Sequence, residues 1–197
     1  MIPGLIHVMR DPSSVDGTAI ITGLERLSQY ILDASGRGLV MYEIGSFAGE
    51  GAEIFARYFS EVHCVDLWDT YPLTGAVSKY TWPQIEASFD ARCASAKNIF
   101  KHKGDATEVA KTVPDESLDF VYIDADHKYA SVMKDLTAWV SKVRPNGFIG
   151  GHDYTFYTID VVRAVTDFFR FKDDDEIVLF HDGSWLLQKI PKSEATK

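Results

Sequence analysis

Residues 42–51, YEIGSFAGEG, decide how this chain folds. The apolar run LVMYEIG has the composition of a short strand, and it ends in a glycine-rich turn. Beyond the turn, Ala48, Ala52, Phe55, Ala56 and Phe59 recur at helical spacing. Strand, tight turn and helix together form the opening unit of an α/β sheet. Gly45 and Gly49 permit the turn and a close approach of backbone or ligand, and the start of the helix offers free N–H groups. The spacing departs from GxGxxG and is instead E-x-G-x-x-x-G, with Glu43 just ahead of Gly45. A purely structural glycine turn is the plain alternative.

The same alternation continues on both sides of this unit. Upstream, Ile20, Leu24, Leu27 and Ile31 mark a helix that DASGRG ends. Downstream, EVHCVDLW is a strand and WPQIEASFDARCASAKN a helix with Pro83 in its first turn. IFKHKGDA, a short helix near EVAKTV, and the strand LDFVYIDA follow. Val132, Leu136, Trp139, Val140 and Val143 share the face of a further helix, which RPNG stops before the strand FIGGHDY. The helix TIDVVRAVTDFFRF precedes two strands, DDDEIVLF and SWLLQKI, joined at HDG. This order predicts a Rossmann-like, doubly wound, seven-stranded and mostly parallel sheet, with an antiparallel last strand and helices on both faces. One domain over residues 1–197 is expected, with an N-terminal helical segment at 1–37 and the core at 38–190. The segment DTYPLTGAVSKYTW, 69–82, is either a lid or a surface loop.

Composition narrows the partners. The 197 residues carry a formal charge of -9, which argues against a phosphate-binding surface and hence against nucleic acid. Cys64 and Cys93 form no CxxC pair, so neither a disulfide framework nor a thiolate zinc site is implied, and a reducing cytosolic setting fits. No apolar stretch has the length to span a bilayer, and MIPGLIHVMRDP lacks the apolar core of a signal peptide, so no membrane partner is expected.

In a parallel sheet, ligands bind beyond the carboxyl ends of the strands. The segments EIGS, VDLW, GDA, IDADH and GGHDY would all meet on that rim. Asp66, 23 residues after Glu43, is placed to accept from both hydroxyls of a ribose. Trp68 either lies against an adenine ring or packs in the core. Asp105 either takes the exocyclic amine of adenine or forms a turn. Asp124 from one strand end, with His152 and Asp153 from another, offers carboxylate oxygens and an imidazole to a divalent cation, with magnesium favoured and manganese admitted. Such a cation lowers the pKa of a substrate hydroxyl, and His127 is suited to take the proton. The structural alternative is that Asp126 or Ser131 caps the next helix and that His127 is merely solvated. The acidic run at 173–176 has the look of a solvated turn, Trp139 and Trp185 of core residues, and His102 and His181 have no evident partner.

YEIGSFAGEG, VDLWD, GDA and the stretch from YIDADHKY to GGHDY resemble class I S-adenosylmethionine-dependent methyltransferases. The resemblance is specifically to small metal-dependent O-methyltransferases that include macrolide-sugar methyltransferases. It covers roughly residues 38–190 and implies that Glu43, Gly45, Ser46 and Gly49 surround the methionine and ribose part of the cofactor. By the same resemblance, Asp66 with Leu67 and Trp68 hold the ribose side, and Asp105 with Ala106 the adenine. Asp124, His152 and Asp153 fall on the metal positions, and His127 on that of the base. Relatives often have two acidic residues, or Asp then Asn, where this chain has His152 and Asp153.

The resulting expectation is methyl transfer to a hydroxyl of a small substrate, a sugar or glycosylated metabolite. Trp68, Tyr71, Tyr80, Trp82 and Tyr154 are the aromatic faces available to it. A second subunit of a homo-oligomer, the N-terminal helix or the 69–82 loop would complete its capture. The alternatives are a nucleotide-dependent oxidoreductase, which the missing GxGxxG and Tyr-x-x-x-Lys disfavour, and a catalytically silent cofactor-binding partner subunit.

Overall fold

The segments MYEI, FVYI and GFIGG are buried in near-continuous runs, so both faces of the sheet need cover. The computed structural model describes residues 23–69, 72–170 and 177–190. Its strands are β1 (Val40–Ile44), β2 (Glu61–Asp66), β3 (Ile99–Lys103), β4 (Leu118–Ile123), β5 (Val143–Gly151), β6 (Val178–Leu179) and β7 (Trp185–Gln188). Its helices are α1 (Gly23–Ser35), α2 (Glu50–Phe55), α3 (Trp82–Cys93), α4 (Ala106–Ala110), α5 (Tyr129–Trp139) and α6 (Ile159–Phe169). The strand order is β3-β2-β1-β4-β5-β7-β6, and β7 runs antiparallel to both of its neighbours. Met41, Cys64, Phe120 and Tyr122 face α1, α2 and α3 through Leu24, Leu27, Phe55 and Phe89. Tyr42, Ile44, Val65, Val121 and Ile123 face α4, α5 and α6 through Ala110, Leu136, Trp139 and Val165. The doubly wound arrangement expected from the sequence is the one present. Among the described residues, no helix is long and apolar enough to cross a membrane.

The strand ends are stitched together beyond the strands themselves. Gly45 N donates to Val65 O at 2.8 Å, Gly104 N to Asp66 O at 2.9 Å, Asp124 N to Ile44 O at 2.8 Å and His152 N to Ile123 O at 3.2 Å. Between β1 and β4 the chain order reverses, which opens a crevice at that rim.

Two boundaries differ from expectation. The helix predicted to carry Val140 and Val143 ends at Trp139; Val140–Lys142 is a 3-10 turn, and Val143 begins β5 opposite Leu118. RPNG therefore lies inside a strand, where the register shifts between Leu118 and Phe120 and Asn146 takes a φ of 62°. An Asn-Gly pair that supplies left-handed backbone serves a bulge as well as a helix stop, so composition alone does not separate the two. The short helix predicted near 108–113 starts earlier, at Ala106, because Asp105 caps it by accepting from Thr107 N and Glu108 N. Ile20, Tyr71 and the acidic run at 173–176 lie outside the described residues.

Beneath the glycine turn the packing is tight. Gly45 has a φ of 94°, and a Cβ there would lie 2.1 Å from the Asp124 carbonyl oxygen. Glu43 is buried under α2, with Cys64 Sγ 3.6 Å from its Oε2 and its Oε1 only 2.0 Å from where a Cβ of Gly51 would be. Burial pushes the Glu43 carboxyl up to about 8.

Gly45→Ala should lower the unfolding free energy by about 3 kcal/mol or more, through left-handed strain together with the clash. Gly36→Ala, with a φ of 82° but open space around it, should lose only about 1 kcal/mol. Equal losses in denaturant titrations would show that the approach to Asp124 is unimportant. A second expectation concerns pH. The folded protein holds a proton on Glu43 up to about pH 8, whereas the unfolded chain releases it near 4.5. Stability should therefore fall as pH rises through that window and level off above it. Glu43→Gln should remove a few kcal/mol of that fall; parallel stability curves for the two proteins would show that Glu43 ionises normally.

Candidate active site

The crevice at the strand ends is a cavity of about 740 Å³. Its walls bring together Glu43, Gly45, Ser46, Asp66, Leu67, Asp105, Ala106, Asp124, His127, His152 and Asp153, most of the residues singled out in the sequence. Gly49 and Trp68 are outside it. Gly49 faces Phe89 and Cys93 behind the turn, where a φ of 84° lets it head α2. Trp68 is 2% exposed, packs on Phe89 at 4.8 Å between ring centroids, and donates from Nε1 to Phe47 O at 2.7 Å. Trp68 is thus a core residue; the left-handed backbone at this position, φ 44°, turns the ring inward rather than over a bound base.

Asp66 closes β2 with both oxygens engaged. Phe47 N donates to one at 2.9 Å and Trp68 N to the other at 2.8 Å. Burial raises its carboxyl, and these two amides counter the rise. Each oxygen keeps a lone pair for a hydroxyl donor in the cavity. Asp105 is differently placed. Its Oδ1 accepts from Thr107 N at 2.9 Å and Thr107 Oγ1 at 2.5 Å, its Oδ2 faces Lys134 Nζ at 3.1 Å, and the Thr107 bonds hold its carboxyl down to about 2. The turn-forming role is present in this side chain, and Oδ2 keeps a lone pair while the residue lines the cavity.

The reactive groups gather where β4 and β5 end. His127 Nε2 is 3.0 Å from Asp153 Oδ2 and 3.5 Å from Asp124 Oδ1, and His152 Nδ1 is 3.5 Å from Asp153 Oδ2. Hydrogen bonds to the two carboxylates hold the His127 imidazole protonated up to about 10. Burial pulls the His152 pKa down, but Asp153 and the nearby Asp124 outweigh it and lift it to about 9. Burial also works against the Asp153 charge, yet both imidazoles hold its carboxyl far below the usual range. Asp153 has a φ of 61°, a left-handed conformation that Asp tolerates, and this turns its carboxylate back toward Asp124.

A cation fits this donor set. Ligand atoms of Asp124, His152 and Asp153 lie within 4.8 Å of one another, and the buried His152 Nε2 has no hydrogen-bond partner. The hard oxygens suit magnesium, and the imidazole admits manganese. Lys128 occupies the cap position of α5, and Asp126 Oδ2 accepts from Ser131 Oγ at 2.6 Å.

Sequence reading passed over several lining residues. Asp69, Pro72, Thr74 and Val77, beside Trp82, which the sequence offers as an aromatic face, make the described part of the 69–82 segment a wall of the cavity. Lys134 and Asp135 enter from α5; the available signal was a carboxylate in phase with Val132, Leu136 and Trp139. Away from the cavity, His102 does have a partner, with its Nε2 2.9 Å from His63 Nδ1.

Comparison with known proteins places these features in a family. The methyltransferase domain family matches residues 42–154. No curated protein matches the chain in sequence. Among solved structures, the O-methyltransferase NovP is similar at 17% identity over 85% of this chain and 79% of that one, with a TM-score of 0.66. SMU.1697c from Streptococcus mutans, solved with S-adenosylhomocysteine, is 9% identical over 85% of this chain and 98% of that one, TM-score 0.62. An rRNA methylase from Streptococcus thermophilus is 10% identical over 86% and 97%, TM-score 0.61. At such identities these structures share a fold with this chain and nothing narrower. The family match, by contrast, replaces the oxidoreductase alternative: it spans more than half the sequence and runs from the strand before Gly45 through Asp153, and by it the chain belongs to the methyltransferase domain family.

Proposed function

We propose that this protein is an S-adenosylmethionine-dependent O-methyltransferase that acts on a hydroxyl of a small, uncharged substrate, a sugar or glycosylated metabolite, in the cytosol. One observation carries the reading: His127, Asp124 and Asp153 form a proton-handling cluster on the wall of the same cavity that Gly45 and Asp66 line. The likeness of fold to the O-methyltransferase NovP favours oxygen as the acceptor. Nine lining residues are Asp or Glu, whereas Lys134 is the one Lys or Arg among the described lining residues. Such a field disfavours phosphorylated or carboxylated acceptors and admits neutral polyols. Trp82 in the wall offers a face for a sugar ring.

The chemistry asked of the chain is modest. S-adenosylmethionine, when bound, would supply a methyl carbon already activated by its sulfonium. Asp124, His152 and Asp153 would hold a divalent cation, whose positive charge would acidify a nearby hydroxyl. His127 takes the hydroxyl proton at a ring nitrogen, which requires the imidazole to be neutral. Asp124 and Asp153 oppose that by keeping its proton on, and positive charge on the same two oxygens relieves the opposition. The remaining rate enhancement comes from holding the oxygen and the methyl carbon in line.

His127 held as an imidazolium also suits a catalytically silent cofactor-binding subunit, so the tests must separate the two readings. Calorimetry should give micromolar binding of S-adenosylmethionine and S-adenosylhomocysteine, tightened by magnesium or manganese; a folded protein that binds neither is no methyltransferase. His127→Asn should leave that binding within about twofold and lower methylation of a sugar acceptor by about a hundredfold or more. The activity of the parent should rise with pH as His127 loses its proton, and added metal should move this rise to lower pH. An unchanged turnover in the variant would remove His127 from the mechanism.

A further inference from the structure

The two ring nitrogens of His152 meet different surroundings. Nδ1 is 3.5 Å from Asp153 Oδ2, whereas Nε2 is buried and has no hydrogen-bond partner among the described residues. A neutral imidazole has one protonated nitrogen and one with a free lone pair. If Nδ1 offers its lone pair to a cation, the proton is on Nε2 and points into the protein, where a donor without an acceptor is destabilising.

A second unpartnered group belongs to the turn between β6 and β7. Asp182 accepts from Ser184 N at 3.0 Å through Oδ1, while its Oδ2 is buried and has no hydrogen-bond partner among the described residues. The ladder brings the two residues together. β5 pairs with β7 so that Gly151 is opposite Trp185. The next step puts His152 opposite Ser184 and makes Asp182, two residues further back, its diagonal neighbour. Such neighbours share a face of an antiparallel pair, and their spacing of about 7–8 Å is within reach of long side chains. Contacts past the ladder agree: Tyr154 N donates to Gly183 O at 2.9 Å, and a Cβ on Gly183 would lie 2.8 Å from Thr155 Cγ2. The nearby hydroxyls of Tyr122 and Ser184 pair with each other at 3.0 Å. Asp182 is also hemmed in by α1, since a Cβ on Gly23 would lie 2.0 Å from its Cγ and from both its oxygens.

We propose that Asp182 is a positioning residue for His152: its Oδ2 takes the Nε2 proton, directly or through one enclosed water, and so leaves the Nδ1 lone pair free for a divalent cation. The inference rests on the cation reading above and deepens it, because an imidazole, unlike a carboxylate, offers a lone pair at a given nitrogen in only one tautomer. A carboxylate behind a ligating imidazole fixes that tautomer and makes the nitrogen a stronger donor to the metal. The electrostatics agree. Burial pulls the His152 pKa down, Asp153 and Asp124 raise it, and Asp182 is close enough for its charge to add to theirs.

The test compares the parent with Asp182→Asn and Asp182→Ala. In Asp182→Asn, Ser184 N keeps the amide oxygen facing it, so the amide NH2 meets His152 and cannot accept the Nε2 proton. Titration with manganese, read from the electron paramagnetic resonance of the free ion, should show both variants binding about tenfold to a hundredfold more weakly than the parent. Nitrogen-15 correlation spectra of the metal-free protein, recorded where the ring carries a single proton, should show His152 as the Nε2–H tautomer in the parent. In both variants it should be Nδ1–H, donating to Asp153. A role confined to holding the turn against α1 would lower the melting temperature and leave the tautomer unchanged, a result that overturns the proposal. A parent ring with its proton on Nδ1 overturns it too, as does manganese affinity in Asp182→Asn within about twofold of the parent. If the parent itself binds no manganese, the cation reading fails and the positioning role fails with it, even where the tautomers show the two side chains paired.

Discussion

A carbonyl oxygen occupies the space where Gly45 would carry a side chain. The Asp124 oxygen lies 2.1 Å from that missing Cβ, so the exits of β1 and β4 run together with no side chain between them. Everything at the rim is set by that approach. It places the glycine turn against the carboxylate that begins the reactive cluster, and the Asp124 N to Ile44 O bond at 2.8 Å locks the pair in register. Three residues at the exits of β1, β2 and β5 bend sharply as well, with Phe47 and Trp68 at a φ of 44° and Asp153 at 61°. Each such residue sacrifices about 1 kcal/mol of backbone preference. The return is visible in the contacts: the Phe47 and Trp68 amides both meet Asp66, and the Asp153 carboxylate meets both imidazoles.

The cluster at the β4 and β5 exits is an arrangement of negative oxygens around a place for positive charge. In its protonated form, His127 supplies that charge, and it is attracted strongly enough to shift its own pKa to about 10. The same attraction that would gather a divalent cation thus keeps the His127 imidazole protonated when no other positive charge is near. His152 behaves differently because its side chain is only 4% exposed. One ring nitrogen faces Asp153 and the other has no partner, a combination that restricts it to holding something rather than exchanging protons with solvent.

Short-range pattern carried most of the fold. Strand alternation, the glycine turn and the apolar helix faces are local, and they place the sheet, both helical layers and the rim correctly. Where local chemistry is shared by two outcomes, the reading failed. Asn146 and Gly147 serve a bulge in β5 as readily as a helix end, so Val143 went to the wrong element. Trp68 follows a strand end in either reading, and only the direction of its backbone decides that it enters the core. Asp105 caps α4 through Thr107 and still lines the cavity, so both of its readings stand. The grouping of Asp124, His152 and Asp153 was legible because two strand ends carried its members in compact form. Asp135 was not, since its isolation depends on what α4 and the α5 entry loop do with their own carboxylates.

Chemically identical carboxyl groups end up in opposite states along this cavity, and the cause in each case is the partner rather than the residue. Asp153, between two imidazoles, is ionised far below its usual range, and Asp105, capping a helix and facing Lys134, is held at about 2. Asp66 is raised by burial and pulled back by two amides. Asp135, buried with no hydrogen bond of its own, rises to about 7. A cavity so graded distinguishes the ends of what it binds. The strand end around Asp124 and Asp153 gathers positive charge, whereas on the α5 wall burial favours the un-ionised carboxyl.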